Sequence, residues 1–396
     1  MGRYKTSLYL FVIITVTICL LKPPTTPSEW MRQLTSAHDS IVDVPKNASA
    51  ETLGAVSNSH DITDLTVATP EDRQINKTGR YVSMCGGNFN ARRTGNQLFN
   101  FAAMLHVARL TGRRVAMLRR HPHGWPDRWF QVPVTRVDRI PAELCPCVSV
   151  GERASLVYSS STLSALSNRR YIAGKSILIC GLFQGWKYTL GVESALRYHL
   201  RLLPNVSAAV HSYLEQIRPS TWKGQSYSRI AIHVRAGDLM SRASWSFGFT
   251  IPQRPYFVQA MSWFVNLQMR RHVGRVQFIV MTNSPEWVKT AINFTSIAQQ
   301  LNRTSSSTKN EFVVDVAHSE GHDPGFDLAL MSLCDGMIMS TGSYGWWGAW
   351  LANKTTIYYS NWPRPGSPFR SKFKSDDYFP PNWIPMGGPE FPRWQA

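Results

Sequence analysis

Residues 230–238 read IAIHVRAGD. Ile230 to Val234 have the apolar, largely branched character of a buried strand. The run then breaks into Arg235, Ala236, Gly237 and Asp238. The same unit recurs downstream. RIAIHV is followed by a helical PYFVQAMSWFVNLQ, VQFIVMT by PEWVKTAIN, EFVVDVA by FDLALMSLC, and GMIMST by SYGWWGAWLA, before a last strand TTIYYS. This alternation predicts a mostly parallel sheet with helices on both faces. Ligands of such sheets sit beyond the carboxyl ends of the strands. His233, Arg235 and Asp238 occupy one such end, and Thr341 to Tyr344 another.

Upstream, GNQLFNFAAMLHVARLTG reads as a helix. Leu98, Ala102, Leu105 and Ala108 recur at three- and four-residue spacing, and Gly112 suits its C-terminal stop. RRVAML looks like a strand, as does SILICGLFQGW up to its turn, and ESALRYHLRL like a helix. The rest of 136–225 is less regular. The domain reading is a body of two halves, 81–225 and 226–396.

The chain has 396 residues and a formal net charge of +18, which calls for an anionic partner. The N-terminus argues against nucleic acid. TSLYLFVIITVTICLL is uncharged between Lys5 and Lys22 and would span roughly 24 Å as a helix. The expectation is a cytosolic tail (1–6), a transmembrane signal anchor (7–21) and a lumenal body. A cleaved signal peptide is the alternative, and LLKPPTTP lacks the small residues of a cleavage site. From Met31 to Arg80 there is no aromatic residue. Such a stretch cannot bury enough apolar surface to fold alone, so 22–80 reads as a flexible stem. Sequons at Asn47, Asn76, Asn205, Asn293, Asn302 and Asn353 agree with a lumenal body. Beyond Cys19 the cysteines are Cys85, Cys145, Cys147, Cys180 and Cys334, an odd number, so at least one stays free or pairs between chains.

The amides of Gly342, Ser343 and Tyr344 could face an anion as helix N-termini do, and Arg235 offers a planar fork for a phosphate. Together they describe a diphosphate site. Taken singly each has a plainer reading: a structural His–Arg–Asp salt bridge, a core group for Trp346, Trp347 and Trp350, and a helix cap for Gly95–Asn96–Gln97. There is no D-x-D, no H-E-x-x-H and no G-x-x-x-x-G-K-[ST]. Arginine and helix amides would then carry the charge that Mg²⁺ otherwise supplies.

These residues resemble a known family. HVRAGD is similar to the H-V-R-R-G-D element of the animal α1,2-fucosyltransferases of glycosyltransferase family eleven. RRTGNQLFNFAAMLHVARLTGR resembles the family's G-R-x-G-N-Q helix. FIVMTNSPEW, FDLALMSLCDGMIMSTGSYGWWGAWLANKTTIYYSNW and YFPPNW resemble its later blocks, so the likeness covers about residues 81–388. It implies a GT-B fold, two Rossmann-like domains with a cleft between them. It implies GDP-β-L-fucose as donor, a glycan with terminal β-galactose as acceptor, and transfer with inversion and no metal or other cofactor. Arg235 matches the arginine on the β-phosphate and His233 the histidine beside it. Asn96 and Gln97 match cleft residues of the first domain. The donor-binding set is Asn96, Gln97, Thr341, Gly342, Ser343, Tyr344 and Asp327. The chain departs from the family at Ala236, where a second arginine is usual, at Thr94, and at Ser343–Tyr344.

The implied mechanism needs a proton acceptor for the attacking hydroxyl. Asp238 is the first candidate, with orientation of Arg235 or His233 as its alternative role, and Glu320, Asp323 and Asp327 are the others. The expected protein is a type II Golgi membrane glycoprotein acting in carbohydrate metabolism, with homodimerisation left open. Competing readings are a fucosyltransferase of another linkage or acceptor, and a membrane-tethered glycan-binding protein without turnover.

Overall fold

A computed structural model describes residues 80–84, 93–118, 128–132, 136–137, 147–151, 156–166, 168–306, 312–319 and 323–388. The expected anchor (7–21), residues 22–79 of the expected stem, the sequons Asn47 and Asn76, and Glu320 lie outside them. Among the described residues no helix is long and apolar enough to cross a membrane.

Twelve strands occur among the described residues: β1 Tyr81–Met84, β2 Arg114–Val115, β3 Met117–Leu118, β4 Arg136–Val137, β5 Cys147–Gly151, β6 Ser176–Cys180, β7 Ser228–Val234, β8 Arg275–Thr282, β9 Val313–Ser319, β10 Gly336–Met339, β11 Thr355–Tyr359 and β12 Ile384–Met386. The longer helices are α1 Thr94–Thr111, α2 Pro204–Gln216, α3 Arg254–Arg270, α4 Phe294–Ser306, α5 Pro324–Ser332 and α6 Ser343–Ala352. The fold is α/β, and the paired strands of its sheets are parallel.

The C-terminal sheet has the order β12-β11-β10-β7-β8-β9. Counted from its first strand this is 3-2-1-4-5-6 read from the other edge, the doubly wound arrangement whose strand order reverses between strands 1 and 4. Here the reversal lies between β7 and β10, which run in register with Met339 beside His233. The crevice outside their carboxyl ends is where such a sheet places a ligand. The N-terminal sheet is smaller, with the order β2-β1-β6-β5, and β3 pairs with β4 separately. The expected single strand RRVAML is therefore two short strands in two sheets, broken at Ala116.

Helix α1 is buried along nearly its whole length and ends at Gly112, whose left-handed φ of 63° forms the predicted stop. It joins the two halves. Phe99 packs on Trp346 and Trp347 of α6, with ring centroids 4.5 and 5.2 Å apart. Trp346 and Trp347 are fully buried and Trp350 nearly so, so this group is core. A second tie comes from the C-terminal segment. The buried Asp377 carboxylate accepts from Lys187 Nζ at 2.5 Å and from the Tyr158 amide at 3.1 Å. Helix α2 lies before the expected boundary at 225/226 but packs on the C-terminal half. The Tyr213 hydroxyl donates to the His318 carbonyl, and its ring packs edge-on to Phe326.

Cys180 is disulfide-bonded and Cys334 is a free, buried thiol. Burial pushes the Cys334 pKa up to about 12, which leaves it an unreactive thiol. Edge strand β9 is held by a side chain. Asn302 of α4 donates from Nδ2 to the Val314 carbonyl at 2.9 Å and accepts the Val314 amide on Oδ1 at 2.8 Å.

Candidate active site

Strand β7 delivers Arg235 to the switch point, and its neighbours fix the turn that follows. The Arg235 amide donates to Ser340 Oγ at 2.9 Å, tying the turn to the end of β10. From the end of β8, Asn283 Oδ1 accepts the Ala236 amide at 3.0 Å and Ser284 Oγ the Gly237 amide at 2.7 Å. Each backbone N–H of residues 235–237 is thus met by a side chain from an adjacent strand end.

The Arg235 guanidinium is braced by Asp238. Nε donates to Oδ1 at 3.1 Å and Nη2 to Oδ2 at 2.6 Å. Such a planar two-bond pair fixes the orientation of the fork. Nη1 lies close to Gly342, where a β-carbon would stand 2.7 Å away. Gly342 has φ 92° and is the residue before α6, so it is glycine both for its conformation and for room. Helix α6 starts with no side-chain cap and no acid in its first turn. Its first amides, at the positive end of the helix dipole, are therefore not capped by a side chain of the helix's own N-cap residue.

Asp238 also takes Arg93 Nη1 of the N-terminal half at 3.3 Å. Burial alone would raise the Asp238 carboxyl, but the hydrogen bond and charge of Arg235 and the charge of Arg93 hold it below its ordinary value. Two arginines around one carboxylate leave the site net positive. They also make Asp238 a weak proton acceptor and a good brace.

His233 is 6% exposed, beside the Tyr344 ring at 5.5 Å. Burial, then the Arg235 charge, pulls its pKa down to about 3, so its imidazole is neutral at neutral pH. Its Nδ1 is buried without a partner. A β-carbon on Gly345 would collide with that nitrogen.

The two helix starts meet directly. A β-carbon on Gly95 would come within 2.6 Å of the Ser343 backbone carbon and 2.7 Å of the Tyr344 nitrogen. Asn96 Oδ1 accepts both Ser343 Oγ at 2.7 Å and Gln184 Nε2 at 2.6 Å. The structure thus brings Asn96, Gly342, Ser343, Arg235 and Asp238 together. Thr341 and Gln97 are buried at 1%. Gln97 lies within the packed length of α1, and Thr341 Oγ1 has no partner behind the α6 start.

Asp323 and Asp327 belong to a second cluster at the start of α5. Asp323 caps that helix by accepting the Gly325 amide at 2.8 Å, and Asp327 Oδ1 accepts Ser319 Oγ at 2.6 Å. The Tyr344 hydroxyl donates to the Pro324 carbonyl and so links α6 to α5. Burial, then Asp327 and Asp323, pushes the Tyr344 hydroxyl pKa well up, so it stays protonated.

Ala236 is fully buried in a small apolar cluster with Leu239 and Ile251. Its side chain does not face the charged fork, and Arg93 supplies the second positive charge beside Asp238. Sequence reasoning did not single out Arg93, Asn283, Ser284, Ser340 or Gln184. Asn283–Ser284 directly after a strand carries a turn signal that could have been read. The other contacts are tertiary.

Residues 168–386 match the family Glycosyl transferase family 11. The chain is 25% identical over 294 residues to galactoside alpha-(1,2)-fucosyltransferase 2 of Bos taurus, covering 74% of this chain and 76% of that protein. It is 26% identical over 305 residues to galactoside alpha-(1,2)-fucosyltransferase 1 of Homo sapiens, covering 76% and 75%. Among solved structures, POFUT1 in complex with GDP-fucose aligns with a TM-score of 0.45 at 11% identity over 72% of this chain and 99% of that one. The family match takes in more than half of the chain and both strand ends of the site, and the chain belongs to glycosyl transferase family 11.

Proposed function

We propose that the chain transfers L-fucose from GDP-β-L-fucose to the 2-hydroxyl of a terminal β-galactoside, with inversion and without a metal ion, in the Golgi lumen. The names of the relatives support fucosyl transfer and the α1,2 linkage to a galactoside. The observation that carries the reading is the Arg235 fork, held by Asp238 at the strand-order reversal and aimed beside the uncapped start of α6. The architecture is GT-B-like, with halves of 81–225 and 226–396 and the site between them.

The acceptor oxygen attacks the anomeric carbon of fucose from the face opposite GDP. The carbon–oxygen bond to the β-phosphate breaks, and its electron pair stays on the phosphate oxygen. Arg235 and the first amides of α6 stabilise that growing charge more in the transition state than in the ground state. The hydroxyl proton leaves to water or to a carboxylate on the acceptor side. Asp238 positions Arg235, and neutral His233 packs beneath the fork. His233, Arg235 and Asp238 form the catalytic group, with Asn96 and Ser343 holding the starts of α1 and α6 together and Tyr344 tying α6 to α5.

The protein is placed in the Golgi membrane by an uncleaved anchor at 7–21, with the body lumenal. There the exposed Asn205, Asn293 and Asn353 carry glycan. Asn302 does not. An N-linked sugar occupies the amide position on the same side as Oδ1, which is the position that bonds Val314.

The test is the full-length protein with GDP-fucose and a panel of β-galactosides, with the product linkage read by NMR. An α1,2-linked fucose is expected. Hydrolysis of GDP-fucose without transfer, or a different linkage, would overturn the reading.

A further inference from the structure

A cavity of about 530 Å³ lies at the amino ends of β10, β11 and β12, at the other end of the sheet from Arg235. Asp335 stands one residue before β10, Thr355 opens β11 and Ile384 opens β12, and all three line it. A second wall comes from α3. Trp263, Leu267 and Arg271 follow one another at four-residue spacing, so they form one stripe along that helix and its end. Trp263 and Leu267 are only partly buried. The volume falls within the range of about 300–1,000 Å³ that small-ligand sites occupy. The chemistry at Arg235 uses none of these residues.

Asn353 lines the same cavity. It is the exposed residue that ends α6, with a left-handed φ of 52°, and Thr355 completes its sequon. Among the described residues its side-chain amide has no hydrogen-bond partner, unlike the side chains of Asn293 and Asn302. A group attached to that amide starts at the cavity mouth.

We propose that an N-linked glycan on Asn353 folds back into this cavity, with its first N-acetylglucosamine against Trp263, and so becomes part of the packed structure. The proposal rests on the lumenal reading of the body. A pyranose ring carries C–H groups on its faces and hydroxyls at its rim. Such a surface suits a wall that joins an aromatic ring to a few polar groups. Trp263 and Leu267 offer the apolar side. Arg271 and Lys354 are donors and Asp335 is an acceptor, all on the cavity lining. Hydroxyls donate and accept, which suits a lining of mixed sign better than an anion or a cation would. A free sugar would hold so open a site weakly. The covalent link replaces free binding with an effective concentration of about millimolar, so weak contacts suffice. The plainer reading of Asn353 is a helix stop, since asparagine tolerates the left-handed conformation. That reading does not account for the cavity beside it.

The test compares melting temperatures of the full-length protein made in mammalian cells, as wild type, Asn353→Gly, Trp263→Leu and the double variant. Peptide mass mapping reads the glycan at each sequon. Glycine keeps the left-handed stop and removes the glycan, so a helix stop alone predicts that Asn353→Gly is neutral or slightly stabilising. A docked glycan predicts the opposite, a fall of about 2–4 °C. Trp263→Leu should also cost more in the glycosylated protein than in the Asn353→Gly background, because the two sites share one contact. An Asn353→Gly protein that melts at or above the wild type would overturn the docking, as would strictly additive effects of the two substitutions. So would an Asn353 left bare while Asn293 carries glycan. Glycan on neither asparagine would overturn the lumenal reading, and this proposal with it.

Discussion

The two halves of the molecule are built from the same elements but are used differently. The C-terminal sheet has six strands, and the loops that leave β7, β8 and β10 all converge on one arginine. The N-terminal sheet has four strands and reaches the site through the start of one helix, with Arg93, Gly95 and Asn96, and through Gln184. The C-terminal half is thus a braced charge apparatus. The N-terminal half supplies a close-fitting helix start packed against α6. If that contrast is right, damage on the two sides should look different.

The largest expected loss away from Arg235 itself comes from the fit. Gly95→Ala forces a β-carbon against the α6 backbone, which cannot give way like a side chain. A misplacement of about 1 Å is worth about 100-fold in rate, so Gly95→Ala should lose about that much, with a raised KM and a lower melting temperature. An unchanged variant would show that the halves separate in the working enzyme.

Next is the brace. Asp238→Asn keeps the shape but removes the charge that orients Arg235. Activity should fall about tenfold, through one charge-assisted pair, with the pH profile of the remaining activity unchanged. A general base would instead show a much larger loss and the disappearance of the acid limb. Because the Asp238 carboxyl is held below its ordinary value of 3.8, the brace is complete at neutral and mildly acidic pH. It fails only as pH falls below that range.

A smaller effect concerns the whole fold. His233 and His199 are pulled down to about 3 and about 4, in both cases first by burial. Between those values and 6.5 the unfolded chain binds protons that the folded chain does not. Stability should therefore rise with pH across that window and be lost as pH drops below 6.5. Melting temperatures from pH 7 to pH 5 would check it, and a flat profile would contradict the buried, neutral histidines.

The smallest is local. Asn302→Asp removes the donor to Val314 and should cost about 1–3 kcal/mol of stability with kcat unchanged. Asn293, exposed and capping α4 through the Ser296 amide, should carry glycan by peptide mass mapping while Asn302 does not. Glycan found at Asn302 would contradict the clamp.

Much of the C-terminal half was legible in the sequence. Its central strands are apolar runs bounded by turns, and SYGWWGAWLA is helix α6 residue for residue. The strand ends named His233, Arg235, Asp238 and 341–344 because topology puts ligands there. Helix α4 was missed although Phe294, Ile297, Ala298 and Leu301 keep helical spacing, because its polar face hides the pattern. PEWVKTAIN is a short helix turning into a π-helix, not one regular helix. The N-terminal half was harder to read because its strands are two to five residues long. The contacts from Arg93 and Gln184 span 145 and 88 residues of chain and leave no local signal.

The central claim is that Arg235 is a phosphate fork braced by Asp238, and not one half of a structural salt bridge. The most direct measurement is kcat/KM of Arg235→Lys beside its melting temperature, with Arg235→Ala as the reference. Lysine keeps the charge but cannot form the planar two-bond geometry. The account predicts a fall of about 30- to 1000-fold with the melting temperature retained, and at least as large a fall for Ala. A Lys variant within a few-fold of wild type, alongside an Ala variant that melts earlier, would contradict it and return HVRAGD to the scaffold.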